Sequence, residues 1–171
     1  MTNQELSDDN ARILMDRLNR FSQSEKKDDG IELSEMLLFD QAKTRYALAL
    51  HTLTELRQLT RLTKLPKVDN KILGVINVRG RIVSVYQINQ QTGDELDLSK
   101  KRRFALIGHG KANHAAFIAD EIIGTKWVSQ TQIKQKPIAL ENQDYIIGLD
   151  SDGIVYLNFE KFIQTNSNQI S

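Results

Sequence analysis

The chain of 171 residues contains no cysteine. That excludes disulfides, thiolate metal ligands and a cysteine nucleophile. No run approaches the ~18 apolar residues that a membrane span needs. The first residues, MTNQELSDDN, lack the basic start and apolar centre of a secretory signal. A cytoplasmic protein without direct membrane insertion is therefore expected. Aromatic residues are only 6% of the chain and are not interleaved with its bases. A nucleic-acid stacking platform needs that interleaving, so no nucleic-acid partner is expected.

Motifs for common chemistries are missing as well. There is no Gly-x-Ser-x-Gly elbow and no His-Glu-x-x-His pair. His109 and His114 lie five apart around an expected turn without a third ligand, and His51 stands alone; ordinary structural histidines explain them better than a metal site. Asp120 and Glu121 are adjacent, so on a strand they point to opposite faces and cannot share a proton. Asp150, Asp152 and Gly153 share residue types with a calcium loop, but the remaining ligand positions are wrong. No catalytic site, cofactor or metal is expected.

What is present suffices for one domain, or a domain with an arm. Apolar residues make up 40% and charged residues 26%, an ordinary balance for a chain with a core. The net charge of +1 conceals an asymmetry: residues 1–40 hold ten acids and five bases, and residues 41–171 hold twelve acids and eighteen bases. Nine bases fall between Lys43 and Arg81, against only Glu55 and Asp69. Such a segment is either a solvated face or a field that attracts acidic partners.

Residues 2–22 read as one amphipathic helix, with capping-box spacing at Thr2 and Glu5 and apolar Leu6, Ile13, Leu14, Leu18 and Phe21. SQSEKKDDGI, residues 22–31, reads as a tether. The first 34 residues thus form a helical arm and linker, which either covers apolar surface of the body or meets a partner. From Glu35 onward short strands dominate. Met36–Phe39 and Tyr46–Leu50 flank a hairpin link at 40–44, and Phe104–Ile107 and His114–Ile118 flank another at 108–111. In LTELRQLTRL, residues 53–62, apolar residues recur every third position, which fits a helical turn, whereas the threonines and basic end fit a strand. Both readings stay open, and Pro66 ends the segment. Further strands are expected at 125–129, 145–149 and 154–157, the last two joined by the turn Asp150-Ser151-Asp152-Gly153. A short helix from Phe159 closes the body at residue 164, and residues 165–171 form a disordered tail. Short strands with glycine-bearing turns every 8–12 residues argue an all-β barrel or sandwich.

The stretch GVINVRGRIVSVYQI, residues 74–88, pairs two apolar runs around Arg79-Gly80-Arg81. It is not a phosphate-binding loop. Five residues separate its glycines, Arg81 and Ile82 follow, and the next segment is strand-like, where a P-loop needs four residues, then Lys and a hydroxyl, then a helix. A hairpin fits better, with Gly80 supplying the positive φ of a tight turn and Asn77 and Arg79 projecting donors from its end.

These residues resemble the CheW-like chemotaxis adaptor family, in which a G-V-x-N-x-R-G hairpin precedes an apolar strand. YALALHTLTEL, FIADEIIG and YIIGLDSDGIVYLNFEKF resemble further family segments in the same order, so the likeness spans residues 35–164. Within the family, NVRGRIVSVYQINQQTGDEL with KKRRFALI and the helical arm is most similar to PilI-type adaptors of type IV pilus twitching-motility systems. The resemblance implies two packed, five-stranded SH3-like barrels and a scaffold that is not an enzyme. It implies two partners, the regulatory domain of a CheA-type histidine kinase and the cytoplasmic tip of a chemoreceptor, and hence recruitment to membrane-associated arrays. It assigns Arg79 and its neighbour Asn77 to receptor contact, Glu55 and Leu56 to a pair at the receptor groove, and Gly74 and Gly80 to turn positions. Ser84, Gln87 and Asn158-Phe159 depart from the family pattern, where proline, aspartate and a Leu-Asp element are frequent. The competing reading is a stand-alone SH3-like module that recognises another peptide or helix.

Overall fold

A computed structural model describes residues 9, 11–17, 26–28, 31–88, 102–110, 113–137 and 143–166. The elements in chain order are a helix α1 (11–17) and strands β1 (Lys26–Asp28), β2 (Ile31–Gln41), β3 (Thr44–Ala49), β4 (Leu53–Gln58), β5 (Ile72–Val78) and β6 (Arg81–Tyr86). These are followed by β7 (Phe104–His109), β8 (His114–Ala119), β9 (Glu121–Ser129), β10 (Lys134–Gln135), β11 (Ile146–Leu149), β12 (Val155–Leu157) and helix α2 (Phe159–Asn166).

The strands form two sheets, each curled into a small barrel. The first has the order β4-β7-β8-β6-β5. Thr63 closes it by exchanging two backbone hydrogen bonds with Val75 of β5, at 2.9 and 2.8 Å. In the second sheet, β9 pairs β2, and the order continues β2-β3-β12-β11-β10. Ser129 and Gln132 cap the single turn that joins β9 to β10, so these two act as one bent strand and complete a second set of five. β1 adds to the same sheet by pairing with Ile31–Leu33. The expected tether at 22–31 therefore contains a strand.

Each barrel has its own interior. Ile76, Val78, Val83, Val85, Ala105, Ile107, Ala116 and Ile118 fill the first. Met36, Ala47, Val128, Ile154 and Tyr156 fill the second. A larger apolar cluster joins the two and takes residues from both sheets and both helices, including Leu37, Leu56, Phe117 and Phe162. The Phe162 ring is fully buried, with Phe117, Tyr86 and Tyr145 at 4.4, 5.0 and 5.0 Å between ring centroids. The two tyrosines meet it edge-on and Phe117 at a tilt, and such ring contacts add to the burial energy of a large side chain. Polar stitches reinforce the junction. Buried Gln41 donates to the Ile118 carbonyl at 2.7 Å and accepts from the Ile88 amide at 2.8 Å. Asp120 accepts from Arg103 Nε and from the Ala42 amide, both at 2.8 Å.

Segment 53–62 resolves as strand β4 followed by chain without regular secondary structure. Its three-residue apolar period has two causes. A bulge between Leu53 and Glu55 shifts the register, which puts Leu53 and Leu56 on the same side in the central cluster. Leu59 then faces the interior of the first barrel. The bulge, with Leu59 turning to the other interior, replaces the alternation of a half-buried strand.

The helix ends also differ from expectation. Ala11 and Leu14 of α1 are buried in the central cluster, but Ile13 is 58% exposed, so the apolar stripe read along the sequence is only partly used. Residue 9 is also helical and exposed, and the rest of the expected helix at 2–22 lies outside the described residues. α2 runs past residue 164 to Asn166, which is buried and donates to the Phe162 carbonyl at 2.8 Å. Asn158 caps α2 by accepting from the Lys161 amide at 2.9 Å, a role suited to asparagine. This gives the Asn158-Phe159 departure a local reason, since Phe159 fills the central cluster.

Candidate protein-docking site

The β5–β6 hairpin turns on two residues. Val78 pairs with Arg81, leaving Arg79 and Gly80 at φ values of 51° and 83°. Two central residues of positive φ define the turn type whose twist matches a hairpin. The Asn77 side chain locks it by accepting from the Gly80 amide at 2.8 Å. Glycine adopts this geometry freely, and nothing lies within 4 Å of where a Gly80 Cβ would sit. Arginine does not adopt it freely: the left-handed region costs an ordinary residue about 1–2 kcal/mol. Arg79 is held in that conformation with its side chain 77% exposed. Strain at an exposed charged tip is the pattern expected of a contact residue.

Glu55 anchors the tip from β4. Its carboxylate is 17% exposed and lies between two guanidinium groups, Arg57 Nη2 at 2.9 Å and Arg79 Nε at 3.4 Å. Arg57 also donates through Nη1 to the Asn77 carbonyl at 3.2 Å, which ties β4 to the hairpin. With Nε toward Glu55, the exposed Arg79 group keeps donors for a carboxylate or a helix-end carbonyl.

Glu55, Asn77, Arg79 and Gly80 are thus brought together. Leu56 is adjacent in sequence but points the other way, 2% exposed in the central cluster. It supports β4 from beneath and presents no surface. Gly74 is not in the turn. It sits in β5 at a register shift, with φ 153°, where a Cβ would run into the Thr63 carbonyl oxygen. Its role is the close backbone approach that closes the barrel. Sequence reasoning missed Arg57, although its position two residues from Glu55 on a strand puts both on one face.

Of the two remaining departures, Ser84 is a buried residue of β6, and Gln87 donates to the Asn70 carbonyl at 2.8 Å. On the far side of the hairpin, exposed Arg81 places Nη1 3.2 Å from His114 Nε2. The His109 ring lies across β7–β8 at 6.1 Å between centroids. Burial, and then the charges of Arg81 and His109, push the His114 pKa below its ordinary value. Among the described residues, no group of three or more His, Asp or Glu side chains is placed to hold a metal ion, and no helix is long and apolar enough to cross a membrane.

Comparison with known proteins agrees with this architecture. The chain is 25% identical over 145 residues to the chemotaxis protein CheW of Helicobacter pylori, covering 83% of this chain and 88% of that one. It is 24% identical over 139 residues to the CheW of Thermotoga maritima, covering 80% and 91%. The crystal structure of the scaffolding protein TtCheW from Thermoanaerobacter tengcongensis superposes with a TM-score of 0.65 at 20% identity, covering 80% of this chain and 97% of that one. The CheW-like domain model matches residues 35–166, which include both barrels and α2, and this chain therefore belongs to the CheW-like domain family.

Proposed function

We propose that this chain is a non-catalytic adaptor that couples a chemoreceptor's cytoplasmic tip to the regulatory domain of a CheA-type histidine kinase. The observation that carries the reading is the strained, 77% exposed Arg79 held against Glu55 at the end of a rigid hairpin. A planar guanidinium in a fixed position can bind a carboxylate or helix-end carbonyl with defined geometry. The basic segment from Lys43 to Arg81 would speed encounter with an acidic partner. The kinase contact is assigned to the barrel surface without particular residues. The signalling it serves is chemotaxis or type IV pilus twitching motility, with the likeness on the pilus side, and its site of action is the cytoplasmic side of a membrane-associated array. That finer assignment is supported by the likeness of residues 77–107 and of the helical arm to PilI-type adaptors.

The test is a binding titration of Arg79→Glu against a receptor-tip fragment and against the kinase regulatory domain. The variant should fold, because the changed side chain is on the surface, and should lose receptor affinity on the order of tenfold, about 1.4 kcal/mol. It should keep its affinity for the kinase domain. Unfolding of the variant, or unchanged receptor affinity, would count against the hairpin as the receptor contact. No binding of the kinase domain by the unsubstituted chain would sink the adaptor reading.

A further inference from the structure

The hairpin carries two arginines, and among the described residues only Arg79 is paired with a carboxylate. Arg81 is turned toward β8, where Nη1 lies 3.2 Å from His114 Nε2. A guanidinium can only donate, so His114 Nε2 must be the acceptor and its ring proton must sit on Nδ1. The contact exists only while the imidazole is neutral.

The surroundings favour that neutral form. β8 pairs with β6 and β7 at this end. From β6 the charged group facing His114 is Arg81, and from β7 it is the titratable His109, its register partner. Neither is a carboxylate. Protonation of His114 would remove the acceptor and set an imidazolium against a guanidinium at hydrogen-bond distance.

We propose that His114 is a positioning residue that holds Arg81 away from the docking tip when neutral and releases it beside Arg79 when protonated. The hairpin would then present the released Arg81 beside Arg79, which stays paired through Nε with Glu55 but is mostly exposed, next to a third positive charge. Binding of an acidic partner at the tip would strengthen as pH falls through the His114 titration. This rests on the adaptor reading only for the identity of the partner; the coupling of Arg81 to His114 is a property of the chain alone.

The experiment therefore has two arms. In the first, the isolated protein is titrated from pH 8 to pH 5 by NMR, following the His114 ring and the Arg81 Nε–H. The Arg81 signal should move with the His114 midpoint in the unsubstituted chain and in His109→Gln. It should stay flat in His114→Gln, whose amide oxygen accepts at every pH. An Arg81 signal that ignores the His114 titration overturns the proposal, whatever the partner turns out to be. In the second arm, a receptor-tip fragment is titrated at both pH limits. Affinity should rise about two- to fivefold at the acidic limit, the range of an exposed ion pair. His114→Gln should abolish that rise, and His114→Lys should show the tighter affinity at both pH values. The same slope in His114→Gln as in the unsubstituted chain overturns the proposal. A fragment that binds at neither pH removes the adaptor reading and leaves the first arm to decide.

Discussion

Two tight turns in this molecule carry charge at their tips and use it in opposite ways. The turn at 150–153 spends its charge inward. Asp150, whose side chain is 5% exposed, accepts from the Asp152 amide at 2.9 Å, the Ile154 amide at 3.0 Å and the Tyr156 hydroxyl at 3.0 Å, with Lys126 at 3.7 Å. The turn at 78–81 leaves its charge outside. Among the described residues Arg79 has one partner, at 3.4 Å, and most of its side chain faces solvent. A glycine of positive φ completes each, at 78° for Gly153 and 83° for Gly80. The glycine alone therefore does not separate the two turns, although only the turn at 78–81 also holds a non-glycine residue, Arg79, at positive φ. The separation lies in whether the polar groups are satisfied within the fold.

The largest expected effect breaks the inward turn. Asp150→Ala leaves a buried tyrosine hydroxyl and two amides without their acceptor, a loss of about 3 kcal/mol. Chemical denaturation would measure it; a change below a third of that would mean water replaces the carboxylate readily. The substitution also has a pH signature. Burial raises the Asp150 pKa, but the hydrogen bonds from Ile154, Tyr156 and Asp152, and then the Lys126 charge, outweigh it, so the carboxyl sits below its ordinary value. A lowered folded-state value means that the stabilisation is complete above the ordinary carboxylate range and fades as pH falls through the folded value. Melting temperatures between pH 5 and pH 2 should therefore drop more for the native chain than for Asp150→Ala. Parallel curves would show that Asp150 does not dominate that limb.

Next in size is Gly80→Val, which attacks the outward turn through its backbone. There is open space around the Cβ position, so the cost is conformational. A β-branched residue at that φ should destabilise by about 1–2 kcal/mol. Native stability in this variant would mean that the turn re-forms with another geometry.

The comparison also bears on what the sequence made legible. Both turns were readable because glycine and aspartate mark them chemically, and β5 and β6 because their apolar residues are continuous up to Arg79-Gly80. Segment 53–62 was ambiguous because β4 carries a bulge between Leu53 and Glu55, so its buried residues fall three apart and no single period describes it. The parallel pairings of β6 with β8 and of β12 with β3 join distant segments and leave no local trace. The same limit applied to the site. Glu55 and Arg79 could be paired only through a resemblance, and Leu56 was grouped with them although strand alternation sends it to the core. The clasp of Arg57 on the Asn77 carbonyl depends on a contact twenty residues apart, which spacing alone does not reveal. Strain at Arg79 was also invisible, since the sequence shows that Gly80 is permissive but not that its neighbour shares the positive φ.

The smallest expected effect on stability is the most informative about that strain. Arg79 is a non-glycine residue at φ 51°, and its ion pair with Glu55 is mostly exposed on the arginine side. An exposed ion pair contributes little, about 0.2–1 kcal/mol, whereas relief of a left-handed conformation gains about 1–2 kcal/mol, partly offset by the greater freedom of an unfolded glycine. Arg79→Gly should therefore stabilise the fold by up to about 1 kcal/mol while weakening receptor-tip binding. The equivalent change in the other turn has no such upside, because Asp150 is satisfied where it stands. A stabilised but poorly binding Arg79→Gly would identify position 79 as one where docking is kept at a cost to stability. A destabilised variant would show instead that the Glu55 pair outweighs the strain, and that Arg79 holds the hairpin to β4 much as Asp150 holds its own turn.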